Sequence, residues 1–228
     1  MRTIALAILL SVATAGCVFS PREPFPAPAA AGLRVSTEAH RILANLKVGK
    51  YAHVTRVDEA TGLYEVDCSG LACIVLERAA PRHFQSLQSA TGMKRLTARS
   101  FQTAFLKFPA TPEGRAGWRQ ITRPIDVQPG DVVAWHAANP KPGSTGHVVI
   151  VDGTASQAAD GVVSVPVIDS TPRRQWDTPA AKGQSGPGHR MLWLSTDAQG
   201  RLTGFRLSPV GPFDTLPVAI GRPVEFTD

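Results

Sequence analysis

Apolar positions along the first half of the chain recur at helical spacing. Ala39, Ile42, Leu43 and Leu46 follow Ser36 at intervals of three and four, which predicts a short amphipathic helix with a serine N-cap, closed by Gly49. Tyr51 to Val57 then leads through Glu59-Ala-Thr-Gly62 to Tyr64. From Cys68 the run Leu71, Ile74, Val75 and Leu76 reads as a buried helix stopped by Pro81. A second helical stretch over 98–108 carries Phe101, Phe105 and Phe108 on one core-facing side. Beyond it the period changes. Segments 132–135, 147–151 and 162–168 are short, β-branched and bounded by Gly, Pro and Asp, as strands are. Segments 191–194 and 202–207 flank Asp197-Ala-Gln-Gly200, a hairpin signal. Residues 176–190, rich in Gly and Pro, read as a mobile loop. Helices followed by strands predict an α+β domain with N-terminal helices on an antiparallel sheet.

The first sixteen residues stand outside this pattern. Met1-Arg2 supplies a positive start, an apolar run follows, and small residues lead into Cys17. This is a secretory signal in composition and length, too short for a spanning helix. Thr14-Ala-Gly-Cys17 resembles a bacterial lipobox, which implies lipidation of Cys17; cleavage near 13–15 without lipidation is the alternative. Val18 rather than Asp follows, and the resemblance then points to the outer membrane, facing the periplasm. Residues 17–32, with Pro21, Pro24, Pro26 and Pro28, form an extended tether. That leaves 33–228 as a single domain, expected as a monomer.

Charge changes the picture little. A net +6 in 228 residues, with 43% hydrophobic and 18% charged and a pI of about 9.7, describes a soluble globular chain. An exported protein is not expected to meet nucleic acid. Anionic wall polymers or lipid head groups would attract it, although no Lys/Arg run is present. Three cysteines are present; setting Cys17 aside leaves Cys68 and Cys73. Five positions apart on one helix, their side chains diverge, so no disulfide is expected. His53, His136, His40, His83 and His189 show no metal-ligand spacing and are expected at the surface or around the site; neither metal nor cofactor is implied.

Asp67-Cys68-Ser69-Gly70-Leu71 sits where loop becomes helix. There a cysteine meets the positive end of the helix dipole and free N–H groups, which favour thiolate and can hold an oxyanion. Asp67 or Ser69 can cap that helix. His147, opening a strand after a Gly/Pro-rich turn, is the best-placed base. Asp169 ends the following strand; if 147 and 169 oppose each other in a hairpin, the turn centres on residue 158, inside the polar segment 155–161.

Three motifs in order, Asp67-Cys-Ser-Gly-Leu71, Pro129-Gly-Asp-Val-Val-Ala-Trp135 and Gly146-His-Val-Val-Ile-Val151, resemble the NlpC-type branch of the papain-like cysteine peptidases. These are bacterial cell-wall endopeptidases related to the CHAP amidases. The resemblance covers about half of the mature chain. It implies a papain-like fold, Cys68 as nucleophile, His147 as base, and Asp169 in the third place, where this branch more often has His. It also implies an oxyanion-site tyrosine, Tyr51 or its rival Tyr64, and Ser69, beside the nucleophile, is expected at the same oxyanion or substrate-binding site. The implied reaction is cleavage of amide bonds in peptidoglycan stem peptides through a thioester. An acyltransferase or amidase on another substrate, and a catalytically silent wall-binding lipoprotein, are the alternatives. Segment 74–128 is longer than in compact members.

Overall fold

The computed structural model describes residues 30–137, 146–172 and 185–226. Cys17, the signal segment and most of the proposed tether lie outside them, as does 176–184 of the expected loop. Among the described residues are four α-helices: α1 (Ala30–Asn45), α2 (Cys68–Ala79), α3 (Pro81–Thr91) and α4 (Ala98–Phe105). None is long and apolar enough to cross a membrane.

Helix α1 begins earlier than its apolar spacing predicted. Ala31, Val35, Ala39 and Ile42 form its buried stripe, and Ser36 is an interior, buried position rather than a cap. Residues 30–32, assigned above to the tether, therefore belong to the folded body. The Ala31 amide donates to Glu225 Oε1 (3.0 Å), and Gly32 lies against the turn at Pro129-Gly130. Pro81 does end α2, but it also starts α3, where its missing N–H costs nothing. Helix α3 closes on Gly92 in the left-handed region. A Thr97–Ser100 capping box opens α4.

A small sheet combines β1 (Val48–Lys50), β2 (Arg56–Asp58) and β3 (Leu63–Glu65) in the order β1-β3-β2. The main sheet contains β4 (Trp118–Ile121), β5 (Val132–Trp135), β6 (His147–Val151), β8 (Val163–Thr171), β9 (Gly186–Thr196), β10 (Leu202–Arg206) and β11 (Val218–Pro223). A two-residue β7 (Ser156–Gln157) pairs only with β8. The order is β10-β9-β8-β6-β5-β11-β4, antiparallel at each pairing, so the protein is α+β. Residues 186–190 are strand, not loop: Gly186 to Arg190 pair with Thr171 to Val167 through backbone groups, which tolerate glycine.

Alternation along the central strands separates two cores. Val132, Ala134, Val148, Ile150 and Ile168 join the helices and the Phe101–Phe105–Trp118 aromatic group. Val133, Trp135, Val149, Val151 and Val167 join Leu192, Leu194 and Phe205 on the other side. Curling of the sheet brings the Phe205 ring of β10 to 4.3 Å from that of Trp135 on β5.

Candidate active site

Helix α2 presents its first residue, Cys68, at a capped N-terminus. Asp67 is the cap: its Oδ1 accepts from the Gly70 amide (2.6 Å) and the Ser69 hydroxyl (3.0 Å). Its Oδ2 accepts from Arg95 (2.8 Å) and lies 3.4 Å from His53 Nδ1. Ser69 thus spends its hydroxyl on the cap. Cys68 is 6% exposed, so α2 delivers the sulfur to an enclosed place.

His147, the candidate base, arrives on β6. Gly146 holds a left-handed φ of 127°, and a Cβ there would collide with the Trp135 carbonyl. Glycine therefore lets β6 start directly against β5, where His147 opposes Trp135. The two rings lie 5.3 Å apart.

Pairing between β6 and β8 covers Ile150↔Ile168 and Val151↔Val167 only. Both strands project beyond this short ladder, each held by its outer neighbour: His147 by β5, and Asp169 by its pairing with Gly188 on β9. His147 Nε2 and Asp169 Oδ2 span the gap at 2.7 Å. The register is two residues away from the direct opposition expected from the sequence. Because side chains alternate with a period of two, the shift leaves both residues on one face. The turn expected at 158 moves by one position.

With Nε2 turned to Asp169, Nδ1 is the ring nitrogen left for another partner, and Cys68 is close enough to act on the imidazole through its charge and hydrogen bonding. Burial, the largest single influence on this imidazole, pushes its pKa down. The Cys68 charge and hydrogen bonds from Asp169 and Cys68 outweigh it, and the pKa rises to about 10. His147 keeps 13% side-chain exposure, against 0% for Asp169. Arg190, also buried, places its Nε 3.4 Å from Asp169 Oδ2.

Tyr51 stands within electrostatic range of this group. Burial first, then the charges of Cys68, Asp67 and Asp169, raise its pKa, so the phenol keeps its proton and remains a donor. Its ring lies edge-on to His53 at 5.4 Å. Tyr64 is fully buried and its hydroxyl meets Asn45 and Glu59, which removes it as the rival oxyanion donor. Cys73 is a separate free thiol turned to the Leu96 carbonyl. Burial pushes it up to about 12.

The Pro129-Gly-Asp131 motif has a supporting place. Asp131 is buried, accepts from the Gln128 amide (2.9 Å), and receives both Nε and an Nη of Arg222 at 2.8 and 2.7 Å. This clamps the start of β5 to β11. Gly130, at φ 87°, lies so close to the Gly32 backbone that a Cβ cannot fit.

Sequence spacing did not mark Arg95 or Arg190, whose partners lie far along the chain. Among the other histidines, His83 is buried rather than superficial. Its Nε2 meets the Val224 carbonyl at 2.8 Å, between the Trp118 and Phe226 rings. His40 and His189 flank Asp152 at the surface. Among the described residues no group of three His, Cys, Asp or Glu side chains is arranged to hold a metal. No protein-family model, curated protein or solved structure matches the chain.

Proposed function

We propose that this protein is a cysteine hydrolase of papain-like, NlpC-type fold that cuts amide bonds in peptidoglycan stem peptides. The observation that carries the reading is the relay Cys68–His147–Asp169 at the N-terminus of α2. A thiolate beside an imidazolium, with a carboxylate fixing the ring, is an activated nucleophile with its proton carrier in place.

Cys68 attacks the scissile carbonyl, forming a carbon–sulfur bond and an oxyanion. Backbone N–H groups of the first turn of α2 and the Tyr51 hydroxyl are the donors for that oxyanion. His147 gives its proton to the departing amine as the C–N bond breaks, leaving a thioester. It then takes a proton from water, which attacks the thioester and releases the acid and Cys68. Asp169 holds the ring throughout.

The substrate class is what the resemblance to the NlpC-type peptidases implies, carried by the motif order Cys68, then Pro129-Gly-Asp131, then Gly146-His147. An amino-terminal signal with lipidation at Cys17 would place the enzyme at the periplasmic face of the outer membrane, beside the wall. Purified protein should release new peptide fragments from isolated peptidoglycan, and Cys68→Ala should release none. Equal release by the mutant refutes the assignment.

A further inference from the structure

We propose that the cleft between β4, β11 and the short 3-10 turn Pro124–Asp126 is a second binding site, which takes a small ligand bearing one carboxylate on Arg119.

Arg119 and Arg222 are direct cross-strand partners on β4 and β11. Two guanidinium ions in that position repel each other. Arg222 is compensated: Asp131 grips it through both oxygens, and the Asp126 carbonyl accepts from it at 2.6 Å. Arg119 is not. It makes no hydrogen bond or ion pair with any described residue, and its Nε is shut off from solvent with no acceptor. Burial, and then Arg222, depress its pKa, and the nearby Asp131 and Asp126 charges offset this only in part. A half-buried cation opposite a second cation, with its Nε lacking an acceptor, is costly to maintain.

The space in front of it is a solvent-connected cleft of about 330 Å³, lined by Arg119, Gln120, Ile121, Thr122, Asp126 and Arg222. That is room for a small ligand. A carboxylate matches the planar guanidinium fork and neutralises one charge. Asp126, whose carboxylate lies 3.8 Å from Arg123, shares the wall and disfavours a dianion such as phosphate. Gln120 and Thr122 offer neutral polar groups for the rest of an amino-acid-like ligand. β5 and β11 separate β4 from β6 in the sheet, so this cleft is distinct from the Cys68 site and does not rest on the hydrolase reading.

Calorimetric titration of the purified chain tests it, with N-acetylalanine, the neutral N-acetylalanine amide and inorganic phosphate as probes. The expected result is saturable binding of N-acetylalanine, none of the amide, and weaker binding of phosphate. Arg119→Gln should lower N-acetylalanine affinity by about tenfold or more, while Cys68→Ala leaves it unchanged. Arg119→Lys keeps the charge without the fork and should weaken binding as well, giving a second variant should the first fold poorly. Absence of saturable N-acetylalanine binding, equal binding of the amide, tighter phosphate binding, or unchanged affinity in a folded Arg119 variant each overturns the proposal.

Discussion

His147 and Asp169 meet at 2.7 Å across the gap where β6 and β8 have stopped pairing with each other. Each is anchored from outside the gap, so the contact depends on side chains and not on a ladder between their strands. Asp169→Asn retains the shape but removes the charge that fixes the imidazole tautomer. We expect kcat to fall about 10²–10⁴-fold with little change in KM, measured on soluble stem peptides. A variant with wild-type kcat would show that Asp169 has no orienting role.

The titration of His147 is the second expectation. Its folded pKa is raised from 6.5 to about 10, so protonated His147 contributes stability that is full below about 6.5. That contribution is lost as pH climbs through about 10. Cys68 supplies much of the upward influence, so Cys68→Ala should lower the imidazole pKa, as followed by NMR of the ring. A titration identical in the two proteins would refute the pairing of sulfur and ring.

The two thiols should react very differently. Cys73 is held near 12 by burial, so its thiolate fraction at neutral pH is on the order of 10⁻⁵. Cys68, paired with His147, should be alkylated by iodoacetamide more than about a hundredfold faster, read by mass spectrometry of the two peptides. Comparable slow rates would favour a catalytically silent protein.

Removing one half of the buried Asp131–Arg222 pair should be severe, since it leaves an unpaired charge at the foot of β5. Asp131→Ala is expected to cost about 3–5 kcal/mol, seen as a lower denaturant midpoint. In the fraction that remains folded, the Cys68 alkylation rate should stay close to wild type. A midpoint unchanged within error would contradict the clamp.

Local signals made Cys68, His147 and Asp169 legible as candidates because each sits at an element boundary with characteristic neighbours. Asp67 caps, Gly146 permits a close approach, and the alternation of β8 fixes which side Asp169 takes. The register differs by two residues from direct opposition of His147 and Asp169, and because side chains alternate, both still share a face. Ser36 looked like a cap because it precedes an apolar run; the buried stripe in fact starts at Ala31, where contacts with Gly130 and Glu225 extend the helix. Pro81 fits a helix stop and a first helical turn equally well, and in the fold it is both. Arg95, Arg190 and the insertion of β11 between β5 and β4 depend on contacts between distant segments, which no window of sequence contains.

One bond has a wider consequence. The Ser170 hydroxyl donates to the Val66 carbonyl at 2.6 Å, next to Asp169 at one end and two residues before Cys68 at the other. Cys68 and Asp169 are therefore tied to one strand, β8, by a single short bond. Loss of that hydroxyl would loosen the spacing between the two while leaving both side chains in place.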